Sequence, residues 1–523
     1  MRDLPEYAIL SHTWEDGEVT MTEMATTQDS SKRGWQKITQ TCRLAEEIGI
    51  DWVWVDTCCI DKSSSAELTE AINSMYQWYR GAKVCYVYLT DLEATESLET
   101  AHSIATCRWW RRGWTLQELI APTRLEFYGS DWNYLASRQD CLEVITERTG
   151  IPANILDGSA PLNSVCIAAR MSWAAGRDTT RIEDEAYSLL GIFEVNMPLI
   201  YGEGTNAFRR LQEEIVKRNS DSTIFAFHRS NALFATSASS FVGMERFERF
   251  PHSFFDFSVT NRGLRISGEV PLRLCTVPLD SKTSLSTLIQ FLGYTGEITA
   301  AWGMPLRKIG PKLFQRHPRL HSLVAFNNSE VRQSRLFHAT DVYIIIDWDP
   351  TCASLFTAFR VHAIHVPPTD AFQLQDAVPE NLWDPEDRLF LKPRPYKWDR
   401  YNMVLAMRFS CRVHARLVNL IVLCDARTYP PKGKLVLLTK EDDRIRELLF
   451  RDSYRQDSIS WMNLDLHVPS ARELSDTVCV PSGKTSSRIS VSLRQPALEP
   501  GSAFHVVFDV VEEQEETHLS NGS

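Results

Sequence analysis

The residues most able to do chemistry lie in "RRGWTLQELI", Arg111 to Ile120, and in two upstream stretches ending "LSHTW" and "VDTCCIDK". Trp114 and Glu118 stand four apart, so on a helix they share a face, and Leu116, Leu119 and Ile120 form the apolar side. An aromatic plane beside a carboxylate suits a flat, cationic or sugar-bearing ligand. Ser11, His12 and Trp14 close the first apolar run, and Asp56, Cys58, Cys59 and Asp61 close the second. Each has a structural alternative. Ser11 and Asp56 could cap the element that follows; Glu67, three residues after Ser64, fits a capping box. His12 could be a satisfied structural histidine, Cys58 and Cys59 include a core thiol, and Arg111 and Arg112 could be a solvated entry to a helix.

Familiar catalytic signatures are missing from the sequence: no phosphate-cradling GxxxxGK[ST] loop, no GxGxxG after a strand, no HExxH and no GxSxG elbow. His362 and His365, three apart in an expected strand, point to opposite faces and make a poor metal pair. No metal and no bound cofactor is expected.

These residues must be positioned by alternating strands and helices. "YAILS" (7–11), "DWVWVDTCC" (51–59), "VCYVYL" (84–89) and "RLEFYG" (124–129) read as short strands. Between the first three lie helical stripes, Trp35, Ile38, Cys42, Ala45 and Ile48 in one, Leu68, Ile72, Met75, Tyr76 and Tyr79 in the other. Such an order implies βαβ units and a parallel sheet with helices on both faces, with ligands at the carboxyl ends of the strands where the strand order reverses. Residues 1–135 are therefore expected to form an α/β domain. A helical extension over 136–225 includes Ile182, Ala186, Leu189, Leu190 and Phe193 on one face, with Gly191 near its end, then a helix along Phe208, Leu211 and Ile215. Residues 226–515 carry recurrent β-branched runs separated by turns such as Asn261-Arg262-Gly263, which reads as a mostly antiparallel β domain; 516–523 form an acidic, polar tail.

Composition sets limits. The chain has 523 residues and a formal charge of -11, which argues against a general nucleic-acid or anionic-membrane binder. Its 12 cysteines show no CxxC spacing, so reduced thiols in a reducing compartment are expected. No signal peptide and no apolar run near the roughly 20 residues of a spanning helix is visible, and a cytoplasmic protein is expected.

Taken together, "LPEYAILSHTWEDGEVT", "WVWVDTCCIDKSSSAELTEAINSMYQWYRGAKVCYVYLTDL" and "RWWRRGWTLQELIAPTRLEFYGSDW" resemble the HET (heterokaryon incompatibility) domain of filamentous fungi, and "RIEDEAYSLLGIFEVNMPLIYGEGTNAFRRLQEEI" is similar to the segment that follows it in that family. The resemblance implies non-self recognition and regulated cell death. HET domains are in turn similar to TIR domains, which implies a TIR- or flavodoxin-like sheet. Ser11 stands where a TIR domain's first strand ends in serine, and "WTLQE" stands where its WCxxE motif opens a helix, with Thr115 in place of the cysteine. Carried over, Glu118 is the catalytic carboxylate for cleaving nicotinamide from NAD, as substrate. Ser11, His12, Trp14, Asp56, Arg112 and Trp114 are its binding residues, Arg111 or Arg112 meeting the pyrophosphate. Cys58, Cys59, Asp61 and Glu67 belong to a HET hallmark without a clear TIR counterpart. The resemblance also implies self-association through the TIR-like domain and an incompatible-allele or NLR-type partner protein. The alternatives are a non-enzymatic module whose sheet edge binds a partner, and cysteine chemistry at Cys58 or Cys59 with His12.

Overall fold

The computed structural model describes residues 4–26, 32–93, 100–228, 232–250 and 255–278, and shorter stretches from 284 to 514 that contain the strands named below; the expected acidic tail lies outside the described residues. The chain folds as two compact units, one of residues 1–268, 290–304 and 319–333, the other of 269–289, 305–318 and 334–523.

The first unit opens with β1 (Tyr7–His12), α1 (Met21–Thr26), α2 (Arg33–Glu47), β2 (Trp52–Trp54), α3 (Asp56–Cys59), α4 (Ser65–Gly81) and β3 (Val84–Tyr88). Then come α5 (Thr100–Thr106), a 3-10 turn at Arg108–Arg111, α6 (Thr115–Ile120), β4 (Leu125–Tyr128) and β5 (Tyr134–Ser137). The strands form one sheet in the order β2-β1-β3-β4-β5. The first four are parallel, with Ala8 opposite both Val53 and Val84, and Cys85 opposite Leu125. Ala8, Ile9, Leu10, Val84, Cys85 and Val87 are wholly buried, as the central strands of a sheet covered on both faces must be. Strand order reverses between β1 and β3, the position where sheets of this kind bind ligands, at the ends of those strands after His12 and Tyr88.

Several expectations are corrected. The strand expected over 51–59 is only Trp52–Trp54, because Asp56–Cys59 turns into a short helix. α2 buries Ile38, Thr41, Leu44 and Ala45 together with Lys37, whereas Cys42 and Ile48 face solvent; the apolar stripe is shifted because Lys37 has buried partners at the sheet edge. β5, which runs antiparallel to β4, is an additional edge strand.

α7 (Leu142–Thr149), α8 (Ala153–Leu156), α9 (Ile167–Ser172), α10 (Asp184–Tyr187) and α11 (Asn206–Val216) follow in the same unit. The helix expected around 182–193 is only four residues long, and Ile182 is 51% exposed. The chain turns after α10 instead, bringing Gly191 against Tyr76 of α4. α11 buries Phe208, Leu211 and Ile215 as its periodicity requires. Asp256–Thr260 and the strand beginning at Gly263 make the expected hairpin around Asn261-Arg262.

The second unit is β-rich. One sheet has the order 383–384, 389–392, 362–365, 504–514, 485–494, 477–482; another has the order 372–378, 405–413, 416–425, 432–437. Neighbours are antiparallel except for 362–365 beside 504–514, which run parallel, as do 313–316 and 335–344. Phe390, Met407, Leu420, Val422, Ile489 and Phe504 share one core. His365 packs edge-on to His505 at 4.7 Å, while the side chain of His362 lies outside the described residues.

Candidate active site at the carboxyl edge of the sheet

Ser11 is the fifth residue of β1 and is fully buried. Its hydroxyl does not cap a helix: it donates to the Glu118 carboxylate and accepts from Trp109 Nε1 at 2.8 Å. Trp109 is itself wholly buried, edge-on to Trp110 and Phe127. Tyr79 of α4 donates its hydroxyl to the Leu10 carbonyl at 3.0 Å, with the phenol close enough to Glu118 to act on its carboxyl.

Glu118 is 7% exposed. Burial pushes its pKa up to about 7, opposed by the Ser11 hydrogen bond, reinforced by the charge of Asp56 and opposed again by Arg112 and Tyr79. A carboxyl group near neutrality can change charge during a reaction at physiological pH. α6 has no solvent face, since all six of its residues are buried, so the expected one-sided apolar stripe is corrected to burial all round.

Asp56 opens α3, and its two oxygens take His12 Nε2 at 3.1 Å and Trp14 Nε1 at 2.8 Å. Burial would raise the Asp56 pKa, but the hydrogen bond and charge of His12, the charge of Lys62 and the Trp14 hydrogen bond hold it below the usual carboxylate value. Beyond His12, Lys37 Nζ approaches Nδ1 at 3.1 Å, donates to the Thr13 carbonyl at 3.1 Å and pairs with Glu18. Trp14 is 46% exposed; Lys62 Nζ lies 3.7 Å from its ring centre and the Arg112 guanidinium 5.5 Å.

Ser11, His12, Trp14, Asp56, Arg112 and Glu118 are therefore joined in one hydrogen-bonded and electrostatic network. Trp114 is directed differently: its side chain hydrogen-bonds Asp184 while Glu118 bonds Ser11. Arg111 is exposed, and its carbonyl accepts from the Asp178 amide. Asp61 and Glu67 serve the entry of α4. Ser64 accepts from the Glu67 amide at 3.3 Å, the Glu67 carboxylate takes the Asp61 amide at 3.0 Å, and Asp61 holds Ser63. Glu67 thus reaches past the cap residue to Asp61, which makes half of the expected capping box.

The cysteine pair divides its roles. Cys58 is buried, Cys59 is exposed and accepts from the Val55 amide at 3.4 Å. Cys59 opens onto a groove of about 740 Å³ lined by Trp52, Trp54, Trp78 and Glu70. The Cys58 thiol donates to the Val55 carbonyl at 3.8 Å and lies beside the Cys59 sulfur; that neighbour and the Val55 amide hold the Cys59 pKa down to about 7, while the Cys59 sulfur and burial push Cys58 up. Because the thiolate is the nucleophile, Cys59 should alkylate with iodoacetamide in a pH profile centred near 7 while Cys58 stays unmodified. Peptide mass mapping reads both, and a Cys59 profile centred at the free-thiol value, about 8.5, contradicts this assignment.

Lys37, Lys62, Tyr79, Trp109 and Arg177 were not singled out by sequence. Lys37 breaks an otherwise apolar stripe, which is a signal; Arg177 has none. Its Nη1 donates to the Arg112 carbonyl at 3.1 Å and to Thr115 Oγ1 at 3.0 Å, and its Nε donates to the Trp173 carbonyl at 3.1 Å. The Gly113 amide donates to Asp178 O at 2.8 Å beside it, where Thr179 leaves no room for a Cβ on Gly113. The turn that presents Glu118 is thus clamped by residues 177–179. Arg177→Ala should lower stability by about 2 kcal/mol, since three hydrogen bonds from a charged donor disappear at a half-buried turn. Urea unfolding checks it, and a change below about 0.5 kcal/mol, the scale of a neutral surface substitution, contradicts it.

A cleft of about 2060 Å³ in the first unit is lined in part by Trp110, Arg148, Trp173 and Arg177. Glu118 lines neither this cleft nor the groove at Cys59. Among the described residues no cluster of three or more metal-binding side chains occurs, and no helix is long and apolar enough to cross a membrane.

Residues 7–106 match the family model "Heterokaryon incompatibility protein (HET)", and residues 206–258 match "Domain of unknown function (DUF8212)". The chain is similar to "Vegetative incompatibility protein HET-E-1" of Podospora anserina, 48% identical over 222 residues, which are 41% of this chain and 16% of that protein. This chain therefore spans only a small part of the length of that relative. No solved structure matches. Ser11, His12, Trp14, Asp56, Cys58, Cys59 and Lys62 fall inside the matched residues and Glu118 falls beyond them; the segment that begins at β1 and carries the Asp56 half of the network is the part of the chain that matches the HET family model.

Proposed function

We propose that this protein acts in fungal heterokaryon incompatibility, in non-self recognition and regulated cell death, and that its N-terminal α/β domain cleaves the nicotinamide–ribose bond of NAD. The observation that carries the reading is the buried Glu118 carboxyl, poised near neutrality against Ser11 at the carboxyl edge of a parallel sheet. Loss of neutral nicotinamide develops oxocarbenium character at the ribose, which a carboxylate stabilises as it does in glycoside hydrolysis. A water then attacks the anomeric carbon and gives its proton to Glu118, leaving ADP-ribose. Ser11, fixed by Trp109, orients the carboxylate.

Glu118 is enclosed in the single chain, so turnover requires the edge to open, and self-association of the TIR-like domain supplies that step. The test uses the full chain fused to an oligomerising domain, with NAD consumption and nicotinamide release measured for wild type and Glu118→Gln. Release by the wild type, lost in the variant, supports the reading. No turnover in the assembled wild type, with toxicity retained in Glu118→Gln, overturns it. The same enclosure favours a second reading, in which the sheet edge binds a partner protein and catalyses nothing; that reading expects toxicity without turnover.

A further inference from the structure

The cations around Trp14 have a feature the proposed chemistry does not use. Nearby basic residues are paired: Lys37 with Glu18, Lys32 with Glu23, Arg108 with Glu15. The side chains of Lys62 and Arg112 are not. Among the described residues neither makes a hydrogen bond or an ion pair, and both converge on the indole of Trp14. The indole is held in place by its bond to Asp56 and remains 46% exposed. Two like charges at one ring repel each other; Asp56, whose charge acts on Lys62, already holds His12 and Trp14 through its two oxygens, and neither cation makes a hydrogen bond or ion pair to a carboxylate, which leaves room for an anion.

We propose that Lys62 and Arg112, gathered over Trp14, form a pyrophosphate subsite, so that the ligand of this edge is a dinucleotide and not a nucleoside. A pyrophosphate diester carries two negative charges, one for each cation. Arginine can meet one phosphate through two parallel N–H donors and lysine the other as a point charge. The neighbouring indole offers a flat wall. Lys62 lies in the "VDTCCIDK" stretch, so the subsite joins the HET hallmark to the Glu118 edge through Trp14. The inference rests on the NAD reading for the identity of the dinucleotide, but not for the existence of the subsite.

The two are separated by titrating the full chain calorimetrically with ADP-ribose, which has the pyrophosphate but no scissile nicotinamide bond, alongside adenosine and inorganic phosphate. Wild type should bind ADP-ribose, with adenosine and inorganic phosphate each at least about tenfold weaker, and Lys62→Gln should weaken ADP-ribose about tenfold, the usual effect of losing one charge-assisted contact. Lys62→Arg should retain binding. Lys62 is exposed, so the fold tolerates both changes, and circular dichroism verifies it. Absence of ADP-ribose binding, equal binding of adenosine, or unchanged affinity in Lys62→Gln overturns the subsite. ADP-ribose binding that depends on Lys62, with no nicotinamide release in the assembled protein, upholds the subsite and removes the hydrolase.

Discussion

Glu118→Gln should abolish NAD cleavage, by a factor of about 1,000 or more, and at the same time make the protein more stable at pH 8. The first effect follows from removing the group that stabilises the cationic transition state and accepts the proton. The second follows from burial. The folded-state pKa of Glu118 is about 7, above the ordinary 4.5, so folding favours the protonated form. Its contribution to stability is fully present below pH 4.5 and is lost as pH rises through 7. At pH 8 the wild type carries an ionised buried carboxylate at a cost of up to about 3 kcal/mol, which a neutral glutamine of the same shape avoids. The gain should be near zero at pH 4. Thermal unfolding at the two pH values reads it directly. A variant no more stable than wild type at pH 8, or one stabilised equally at both, contradicts the assigned burial and charge. Stability gained with activity lost is the signature of a site strained for function.

Gly191→Ala is expected to be the most damaging single substitution for the stability of the first unit. A Cβ at 191 would stand 2.1 Å from Tyr76 Cβ, 2.4 Å from its Cγ and 2.7 Å from its Cδ2. Tyr76 is buried on α4 and its Cβ cannot move without the helix backbone. Overpacking of this kind costs about 1–3 kcal/mol where side chains can adjust, and the rigid contact here should exceed that, at about 4 kcal/mol. The identity of the clashing atoms supplies the control. Tyr76→Ala removes Cγ and Cδ2 but keeps Cβ, so it should not rescue Gly191→Ala. Urea midpoints followed by tryptophan fluorescence test both. A Gly191→Ala chain within about 1 kcal/mol of wild type would show that α4 and the turn after α10 are not in this contact.

The two substitutions bear on one point: the HET-matched segment does not make the site alone. Glu118 is set by α6, α6 is held by Arg177 and by the backbone of 178, and that segment follows α9 and precedes α10 in the same compact unit. A truncation designed from the family match, ending at residue 106, would remove Trp109, Glu118 and Arg177 together.

Much of the local structure is written in short-range pattern. Continuous apolar runs mark β1 and β3, because central strands covered on both faces favour apolar residues at successive positions, while β4 is marked by Leu125, Phe127 and Tyr128 around Glu126. Helical periodicity and Ser64 mark α4, and β-branched runs broken by turns mark the antiparallel C-terminal sheets. The errors have physical causes. Val and Trp continue past the end of β2, but Asp56 has partners that draw the chain into a helical turn. Lys37 disguises the buried stripe of α2, because its ammonium is satisfied by Glu18, Thr13 and His12, far away in sequence. The 182–193 stripe has helical spacing, yet the close approach of Gly191 to Tyr76 rewards a turn.

By itself, then, the sequence determined an α/β N-terminal part, a β-rich C-terminal part, the resemblance to HET domains and the polar residues that close β1 and β2, all of which depend on residues near one another in the chain. Tertiary structure alone decided which of those residues meet. It turned Trp114 toward Asp184, joined Glu118 to Ser11 and Trp109, set Lys62 and Arg112 over Trp14, and recruited Arg177 to hold the turn. The reason is that burial, and with it the pKa of Glu118 and the pairing or non-pairing of each charge, depends on what the folded chain packs around a group, and no spacing along the sequence carries that information.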